Sequence, residues 1–330
     1  MTSRFTAPVA ALVAALVAAP LAALVPAATL AQGFPSKSVR IVVPFAPGGV
    51  ADIVARTVAP KLSEGLGQPV LIENRPGAGG ILAAEAVARA EPDGHTLLLV
   101  NNGTAVSAAL FKALPYDAVN DFAMVSSISH FGLVIVTDPA SPAKTVQDLI
   151  AAAKASPGAM NLGTIGIGST QNLAAELFRS TAGINLQIIP YKATPEVFAA
   201  LKNRDAHAAF EFLAPVLGQI RAGSLRALAV TSAKRSSVLP DVPTAIESGL
   251  AGFDVSSWNG LAVPAKTPRA AIARLHQETV KAVAAPEVQK RLLDLGVEGR
   301  SSTPEELREF FLSESRRWAR VVEAAKIEKR

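Results

Sequence analysis

Short runs of apolar residues alternate along the chain with longer stretches whose apolar residues recur every three or four positions. The run VRIVV at 39–43 leads through PFAPGG into a segment in which Val54, Val58 and Leu62 fall on one helical face. Repetition of this unit is typical of parallel strands covered by helices. The predicted strands are 39–43, 70–72, 96–100, 133–137, 160–163, 186–189, 206–210, 226–230 and 255–263.

Helix starts are marked by capping residues and prolines. Thr145 with Asp148, and Thr303 with Glu306, have the spacing of a capping box, in which two side chains and two backbone N–H groups bond reciprocally. The predicted helices begin near residues 52, 81, 145, 169, 195, 214, 268, 286 and 304.

The chain of 330 residues is longer than one ordinary core and suits two lobes. We predict an α/β fold in which each lobe is a mostly parallel sheet flanked by helices. Residues 32–133 and 232–330 form the first lobe and residues 134–231 the second, because the proline-rich stretch 234–243 returns the chain to the first lobe. Two crossings imply a hinge and a cleft.

The first 31 residues have the pattern of a secretory signal peptide. Arg4 is the sole charge before Lys37, and the Ala, Leu and Val stretch between them ends in small residues suited to cleavage after Ala31. A membrane anchor is the alternative, because the stretch is long enough to cross a bilayer. Pro20 and Pro26 interrupt it and alanine is only weakly apolar, which favours cleavage and a periplasmic mature protein.

Composition removes several classes of function. The chain has no cysteine, which excludes disulfides, thiolate metal sites and cysteine nucleophiles. Its net charge of +5 is spread among acidic residues and only 5% of residues are aromatic, so no nucleic-acid surface is expected. The four histidines are far apart, and no nucleotide or metal motif is present, so we expect neither cofactor nor metal. A hydrolase using Ser169 or Asp52 is an alternative, although no histidine is close to either in sequence.

Three predicted strand ends carry glycine and small polar residues immediately before a helix. They are Pro47 to Gly49, Asn101 to Thr104, and Gly168 to Thr170. Ligands of open α/β sheets bind beyond the carboxyl ends of the strands, and free N–H groups at helix starts attract anions. The three segments together predict a cleft that binds a carboxylate.

Longer segments carry a specific resemblance. VRIVVPFAPGGVADIVAR, GQPVLIENRPGAGG, EPDGHTLLLVNNGT, LRALAVTSAKRSSVLPDVPTAIESG and SSWNGLAVPAKTP, in this order, resemble the Bug family of extracytoplasmic solute receptors of tripartite tricarboxylate transporters. The resemblance extends from about residue 34 to the carboxyl terminus. It implies a type II periplasmic-binding-protein fold, no cofactor, a monomer, a small organic carboxylate as ligand and integral membrane transporter subunits as partners.

The resemblance also implies which residues line the cleft. Loops 45–52 and 168–172 would grip one ligand carboxylate, largely through backbone N–H groups. The candidate ligand-binding residues are Phe45, Ala46, Gly48, Gly49, Val50, Ala51, Asp52, Asn102, Thr104, Gly168, Ser169, Thr170, Asn172, Tyr191, Glu211, Phe212 and Trp258. For Asp52 a helix cap, and for Tyr191 and Trp258 a place in the core, are open alternatives.

One departure from the family pattern bears on the ligand. Many relatives have Asp-Asn where this chain has Glu211 and Phe212. A phenyl ring in place of a short amide removes hydrogen bonds and adds an apolar wall, so we expect a less polar acid, an aromatic or aliphatic monocarboxylate, rather than citrate. A receptor that docks on a membrane sensor instead of a transporter would have the same pattern, and the sequence leaves both open.

Overall fold

The computed structural model describes residues 33–324 and 327–329, and the alternation of strands and helices predicted from the sequence is present. The predicted signal peptide, residues 1–31, lies outside the described residues. The strands are β1 (Val39–Val43), β2 (Val70–Asn74), β3 (Thr96–Val100), β4 (Phe122–Thr137), β5 (Asn161–Ile165), β6 (Gln187–Tyr191), β7 (Ala208–Phe212), β8 (Arg226–Val230), β9 (Ser256–Pro264) and β10 (Val297–Glu298).

The helices follow the strands closely along the chain. They are α1 (Val50–Leu66), α2 (Ile81–Ala88), α3 (Asn102–Leu110), α4 (Val146–Ala155), α5 (Thr170–Thr181), α6 (Thr194–Asn203), α7 (Leu213–Arg221), α8 (Arg269–Ala284), α9 (Pro286–Leu293) and α10 (Pro304–Ala324). Both predicted capping boxes are confirmed: Thr145 bonds reciprocally with Asp148, and Thr303 with Glu306. Over the described ranges, no helix is both long and apolar enough to cross a membrane.

One curled sheet runs through the molecule in the order β2-β1-β3-β9-β4-β7-β5-β6, with β8 and β10 also paired to β4. The outer strands β2, β1 and β3 are parallel, as are β6, β5 and β7 at the other end. Around β4 and β9 the pairing is antiparallel. The sheet is therefore parallel at both ends and antiparallel in the middle.

Strand β4 links the two halves of the sheet. Residues Phe122 to Gly132 pair with β9, whereas Leu133 to Val136 pair with β7, so the strand changes partner between Gly132 and Leu133. We propose that the two halves are the two predicted lobes, divided at 133/134 and 231/232. This change of partner supports the first boundary.

Both faces of the sheet are buried, which explains why four of the five residues of β1 are apolar. Ile41 and Val43 face a core that includes Val54 of α1, while Val42 faces a second cluster with Trp258. Helices on both faces leave the ends of the strands as the accessible edge of each half.

Candidate functional site

A cavity lies where the carboxyl ends of strands from both halves of the sheet face each other. Its walls come from the loops after β1, β3, β5 and β6 and from β4, β7 and β9. The lining residues are Phe45, Gly49, Val50, Ala51, Asn101, Gly103, Phe131, Ile165, Thr170, Gln171, Thr194, Phe212, Ser257 and Asn259. None of these described residues has a charged side chain.

The loops before α1 and α5 are built in the same way. The N–H of Gly48 donates to Asp52 Oδ2 over 3.0 Å, and the N–H of Gly168 donates to Asn172 Oδ1 over 3.3 Å. Gly48 and Gly168 both have a positive φ, of 85° and 79°. In each loop a polar side chain in the first helical turn holds a left-handed glycine that turns the chain into the helix.

This geometry determines which N–H groups are available to a ligand. Those of Gly48 and Gly168 are already bonded within their own loops. The first-turn N–H groups of a helix have no intrahelical acceptor, and they lie at the positive end of the helix dipole. The N–H groups of Val50 and Ala51 on α1, and of Thr170 and Gln171 on α5, belong to this first turn. The cavity therefore receives the amino-terminal ends of two helices.

Asp52 is ionised and fully engaged by the protein. Besides Gly48 it accepts hydrogen bonds from Arg56 Nε at 2.9 Å and Asn74 Nδ2 at 3.0 Å. Burial on its own would raise the pKa of Asp52, but the hydrogen bonds from Arg56, Gly48 and Asn74 outweigh it and lower the pKa. Asp52 lies outside the cavity lining, and its bonds fix the loop that carries Gly49.

The two halves of the sheet meet across the cavity through hydrogen bonds. Thr170 Oγ1, on α5, accepts from Asn102 Nδ2 at 3.2 Å and lies 2.9 Å from Ser257 Oγ. Asn102 and Ser257 belong to the first half and Thr170 to the second. The structure is therefore in a closed arrangement, held by three buried polar side chains.

Three phenylalanines form the apolar part of the cavity wall. Phe45 follows β1, Phe131 lies on β4, and Phe212 ends β7. Phe131 and Phe212 pack edge to face with ring centroids 4.9 Å apart. Phe212 is thus part of the apolar cavity wall.

Glu211 lies directly behind this wall and is completely buried. Its Oε2 accepts from Gln171 Nε2 at 3.4 Å, from Thr194 Oγ1 at 3.3 Å and from the N–H of Phe212 at 3.3 Å. Burial raises the pKa of Glu211 to about 7, although these hydrogen bonds oppose the change. A group that titrates near neutral pH thus contacts three residues of the lining.

Two predicted site residues, the buried Trp258 and the partly buried Tyr191, pack against the hydrophobic core instead of lining the cavity. Trp258 is 1% exposed and packs against Phe310 and Phe311 on the far side of the sheet. Its neighbours on β9, Ser257 and Asn259, face the cavity, because successive side chains of a strand point to opposite faces. Tyr191 packs against the second half of the sheet, and Thr194, three residues later, reaches the cavity instead.

The structure thus divides the predicted site residues into two sets. Those that line the cavity are Phe45, Gly49, Val50, Ala51, Thr170 and Phe212. Those outside its lining are Ala46, Gly48, Asp52, Asn102, Thr104, Gly168, Ser169, Asn172, Tyr191, Glu211 and Trp258. The lining residues that were not among the candidate ligand-binding residues are Asn101, Gly103, Phe131, Ile165, Gln171, Thr194, Ser257 and Asn259. Three of them, Asn101, Gly103 and Gln171, lie within the predicted segments 101–104 and 168–172.

Asn101 and Gly103 belong to the predicted segment 101–104, although only Asn102 and Thr104 of that segment were named as ligand-binding candidates. The Asn101 side chain caps α3 by accepting from the N–H of Thr104 at 3.3 Å. Phe131, Ser257 and Asn259 carry no local signal, because they become neighbours of the glycine loops only when β4 and β9 pair in the sheet.

The Ser169 hydroxyl is bonded to two backbone groups of its own loop and helix. It donates to the carbonyl of Ile165 at 2.9 Å and accepts from the N–H of Asn172 at 3.1 Å. Neither partner is a histidine or a carboxylate, so neither of these two bonds activates Ser169 as a nucleophile. No cluster of three or more His, Asp or Glu residues suited to a metal ion occurs among the described residues.

Comparison with known proteins identifies the family. The family model described as "Tripartite tricarboxylate transporter family receptor" matches residues 54–327. The chain belongs to this family. Among curated relatives of this receptor, BugT of Bordetella pertussis is 36% identical over 88% of the chain and 90% of BugT. The resemblance to the Bug family that the sequence indicates is thereby confirmed.

Solved structures similar to this receptor have the same architecture. The periplasmic binding protein BugD is 32% identical, with a TM-score of 0.85 over 90% of this chain and 100% of BugD. Rpa4515 of R. palustris, solved with adipate, is 30% identical, with a TM-score of 0.86 over 90% and 100% of the two chains. MatC of Rhodopseudomonas palustris, with bound malate, is 32% identical, with a TM-score of 0.82 over 88% and 100%. The receptor therefore has the predicted periplasmic-binding-protein fold.

Proposed function

We propose that this chain is a periplasmic receptor that encloses a small organic carboxylate between the two halves of its sheet and delivers it to the membrane subunits of a tripartite tricarboxylate transporter. The observation that carries the proposal is the convergence of the first turns of α1 and α5 on one cavity. Two helix amino termini supply N–H donors and positive potential without an arginine. Family relatives solved with adipate and malate support a carboxylate as the ligand.

The roles of the residues follow from this geometry. The N–H groups of Val50, Ala51, Thr170 and Gln171 bind the carboxylate. Asp52 and Asn172 keep the two loops in shape. The receptor binds its ligand and closes around it, acting as a monomer with no chemical step, so no catalytic residue is needed.

The cavity wall favours an acid with a single carboxylate and an apolar body. Phe45, Phe131 and Phe212 offer apolar surface, and the described lining has no cationic side chain for a second or third carboxylate. Burying an unpaired carboxylate against phenyl rings is unfavourable, whereas burying a ring or alkyl chain is favourable. We therefore expect aromatic or aliphatic monocarboxylates to bind better than citrate.

Delivery to a transporter is favoured over docking on a sensor by the description of the family. A delivery receptor must both capture its ligand and release it when the halves separate. We therefore expect a dissociation constant near the micromolar range, which corresponds to a binding free energy of about 8 kcal/mol. A hydrolase reaction is disfavoured by the contacts of Ser169 and by the engagement of Asp52 with Arg56.

Isothermal titration calorimetry of the purified protein with 4-methylbenzoate and with citrate tests the ligand class. We expect 4-methylbenzoate to bind at least tenfold more tightly than citrate, and Phe212→Asn to reduce that ratio. Tight binding of citrate without binding of 4-methylbenzoate would disprove the expected ligand class while leaving a carboxylate receptor intact. Failure of every tested acid to bind would disprove the receptor function.

A further inference from the structure

The carboxyl group of Glu211 is unevenly bonded. All three hydrogen-bond donors that reach it, from Gln171, Thr194 and the N–H of Phe212, meet at Oε2. The other oxygen, Oε1, is buried and has no hydrogen-bond partner among the described residues. The three donor residues line the cavity, so the buried carboxyl group of Glu211 is in contact with the cavity wall.

Gln171 also has a buried oxygen without a hydrogen-bond donor. Its amide Nε2 donates to Glu211, which leaves its Oε1 buried and without a donor in the described structure. Buried polar atoms in native proteins almost always have a partner, and an unpaired acceptor is destabilising. Two adjacent residues of one site therefore each present an acceptor that requires a donor, and one of the two, Gln171, lines the cavity.

No cationic side chain of the described chain neutralises Glu211. On the neighbouring helices, Arg179 pairs with Glu176 within α5, and Lys202 of α6 pairs with Asp138. An ionised Glu211 beside a bound carboxylate would bring two like charges together in a site of low polarity, which is unfavourable unless a positive group accompanies the ligand.

We propose that Glu211 selects, among the acids of the proposed function, those that also carry a protonated amino group or another N–H donor. The donor bonds to the Oε1 of Gln171 in the cavity wall and is attracted by the carboxylate of Glu211 directly behind it, while the carboxylate of the same ligand lies at the first turns of α1 and α5. The ligand thus has three parts: an anion, an apolar body against the phenylalanines, and a donor. This inference rests on the proposed function, because it concerns a second group of the same ligand.

Matched pairs of acids test the inference in the wild-type protein. At pH 8, calorimetry compares leucine with 4-methylpentanoate, 5-aminopentanoate with pentanoate, and 4-(aminomethyl)benzoate with 4-methylbenzoate. The three amino acids differ in the separation between the amino group and the carboxylate. They therefore sample three distances between Glu211 and the first turns of α1 and α5. A charge-assisted hydrogen bond leads us to expect one amino acid to bind about ten to one hundred times more tightly than its partner.

Substitution of Glu211 shows whether the preference comes from this residue. Glu211→Gln keeps the shape of the side chain and is expected to abolish the preference. At pH 8 the amino acid should bind more weakly because its charged partner is lost, whereas the acid without the amino group should bind somewhat more tightly because a like charge is removed. Glu176→Gln, the same substitution on α5 where Glu176 pairs with Arg179, is the matched control and should keep the preference. Thermal unfolding of both variants verifies that they fold.

The outcomes separate this inference from the proposed function. If every acid without an amino group binds as well as its amino partner, the inference is wrong although the receptor function stands. A preference that persists in folded Glu211→Gln also contradicts it. If no acid of any pair binds, the proposed function fails first. Should Glu211→Gln fail to fold, the comparison of pairs in the wild type decides.

Discussion

Asp52 and Asn172 show how single residues prepare the cavity. Each accepts the N–H of a glycine four positions earlier, and each thereby shapes the turn that leads into α1 or α5. The ligand-binding N–H groups belong to other residues of the same turns. The candidate anion site thus depends on polar side chains that lie outside the cavity lining.

The first prediction concerns Asp52→Asn. The amide replaces an oxygen that accepts from Gly48 or from Arg56 and Asn74, so we expect the free energy of unfolding to fall by about 1–3 kcal/mol at pH 7. Urea titration measures this loss. Asp294→Asn, which removes an exposed pair with Lys290, is the control and should barely move the urea midpoint.

The effect of Asp52→Asn also has a predicted pH dependence. Because the folded pKa of Asp52 is lowered, its carboxylate stabilises the fold above the ordinary pKa of 3.8, and this contribution disappears as the pH falls through the lowered folded value. Wild type and variant should therefore converge in stability well below pH 3.8. A constant difference down to the most acid pH would contradict this role.

Glu211 is expected to have the opposite effect on the pH dependence of stability. Its pKa is raised from 4.5 to about 7 in the folded protein, so between these values the unfolded chain releases a proton that the folded protein keeps. Stability without ligand should fall by about 3 kcal/mol as the pH rises through this window. Glu211→Gln should remove that slope in urea titrations at pH 5, 6, 7 and 8. Parallel curves for the two proteins would refute the assignment.

Among the elements, the strands that the sequence predicts well are short and have four apolar residues out of five. β1, β3 and β8 have the predicted bounds. The first part of β4 escaped prediction because polar residues interrupt it. Ser126 and Ser127 are buried, and their hydroxyls donate to the carbonyls of Ser302 and Arg300. Such tertiary bonds leave no mark on local periodicity.

In the candidate site too, the parts formed by adjacent residues were predictable and the parts formed by strand pairing were not. The glycine loops were predictable because strand, glycine turn and helix are adjacent in sequence. The walls contributed by Phe131, Ser257 and Asn259 depend on the pairing of β4 with β9, which a single sequence does not reveal. Strand alternation could have excluded Trp258 once Ser257 was placed in the cavity.

Closure should depend on Thr170, which joins the two halves. Thr170→Val keeps the shape of the side chain but removes the acceptor for Asn102 and the bond to Ser257. We expect ligand affinity to fall about five- to thirtyfold, since loss of one or two buried hydrogen bonds favours the open form by about 1–2 kcal/mol. Small-angle scattering of the ligand-free protein should show a larger radius of gyration.

The control for this variant lies on the same helix. Thr181→Val changes an exposed threonine at the far end of α5 and should leave both affinity and radius of gyration unchanged. Equal behaviour of the two variants would mean that the bonds of Thr170 do not hold the closed form.

In the molecule as a whole, β4 joins two halves that meet over one cavity, and two helix amino termini and three phenyl rings contribute to the cavity wall. Gly49 lies at the amino terminus of α1, and a Cβ added there would meet only the carbonyl oxygen of Ala46, at 3.8 Å. Its φ of −77° is open to any L residue. A larger side chain at Gly49 should therefore enter the cavity without disturbing the fold.

The most direct test is the ligand-induced rise in melting temperature of wild type, Gly49→Leu and Gly218→Leu, the last being an exposed control with open space around it. At an acid concentration one hundred times its dissociation constant, we expect wild type and Gly218→Leu to gain about 5–10 °C from 4-(aminomethyl)benzoate or 4-methylbenzoate. Gly49→Leu should fold and gain nothing. A gain in Gly49→Leu equal to that of wild type, or no gain in wild type with any organic acid, would contradict a carboxylate receptor built on this cavity.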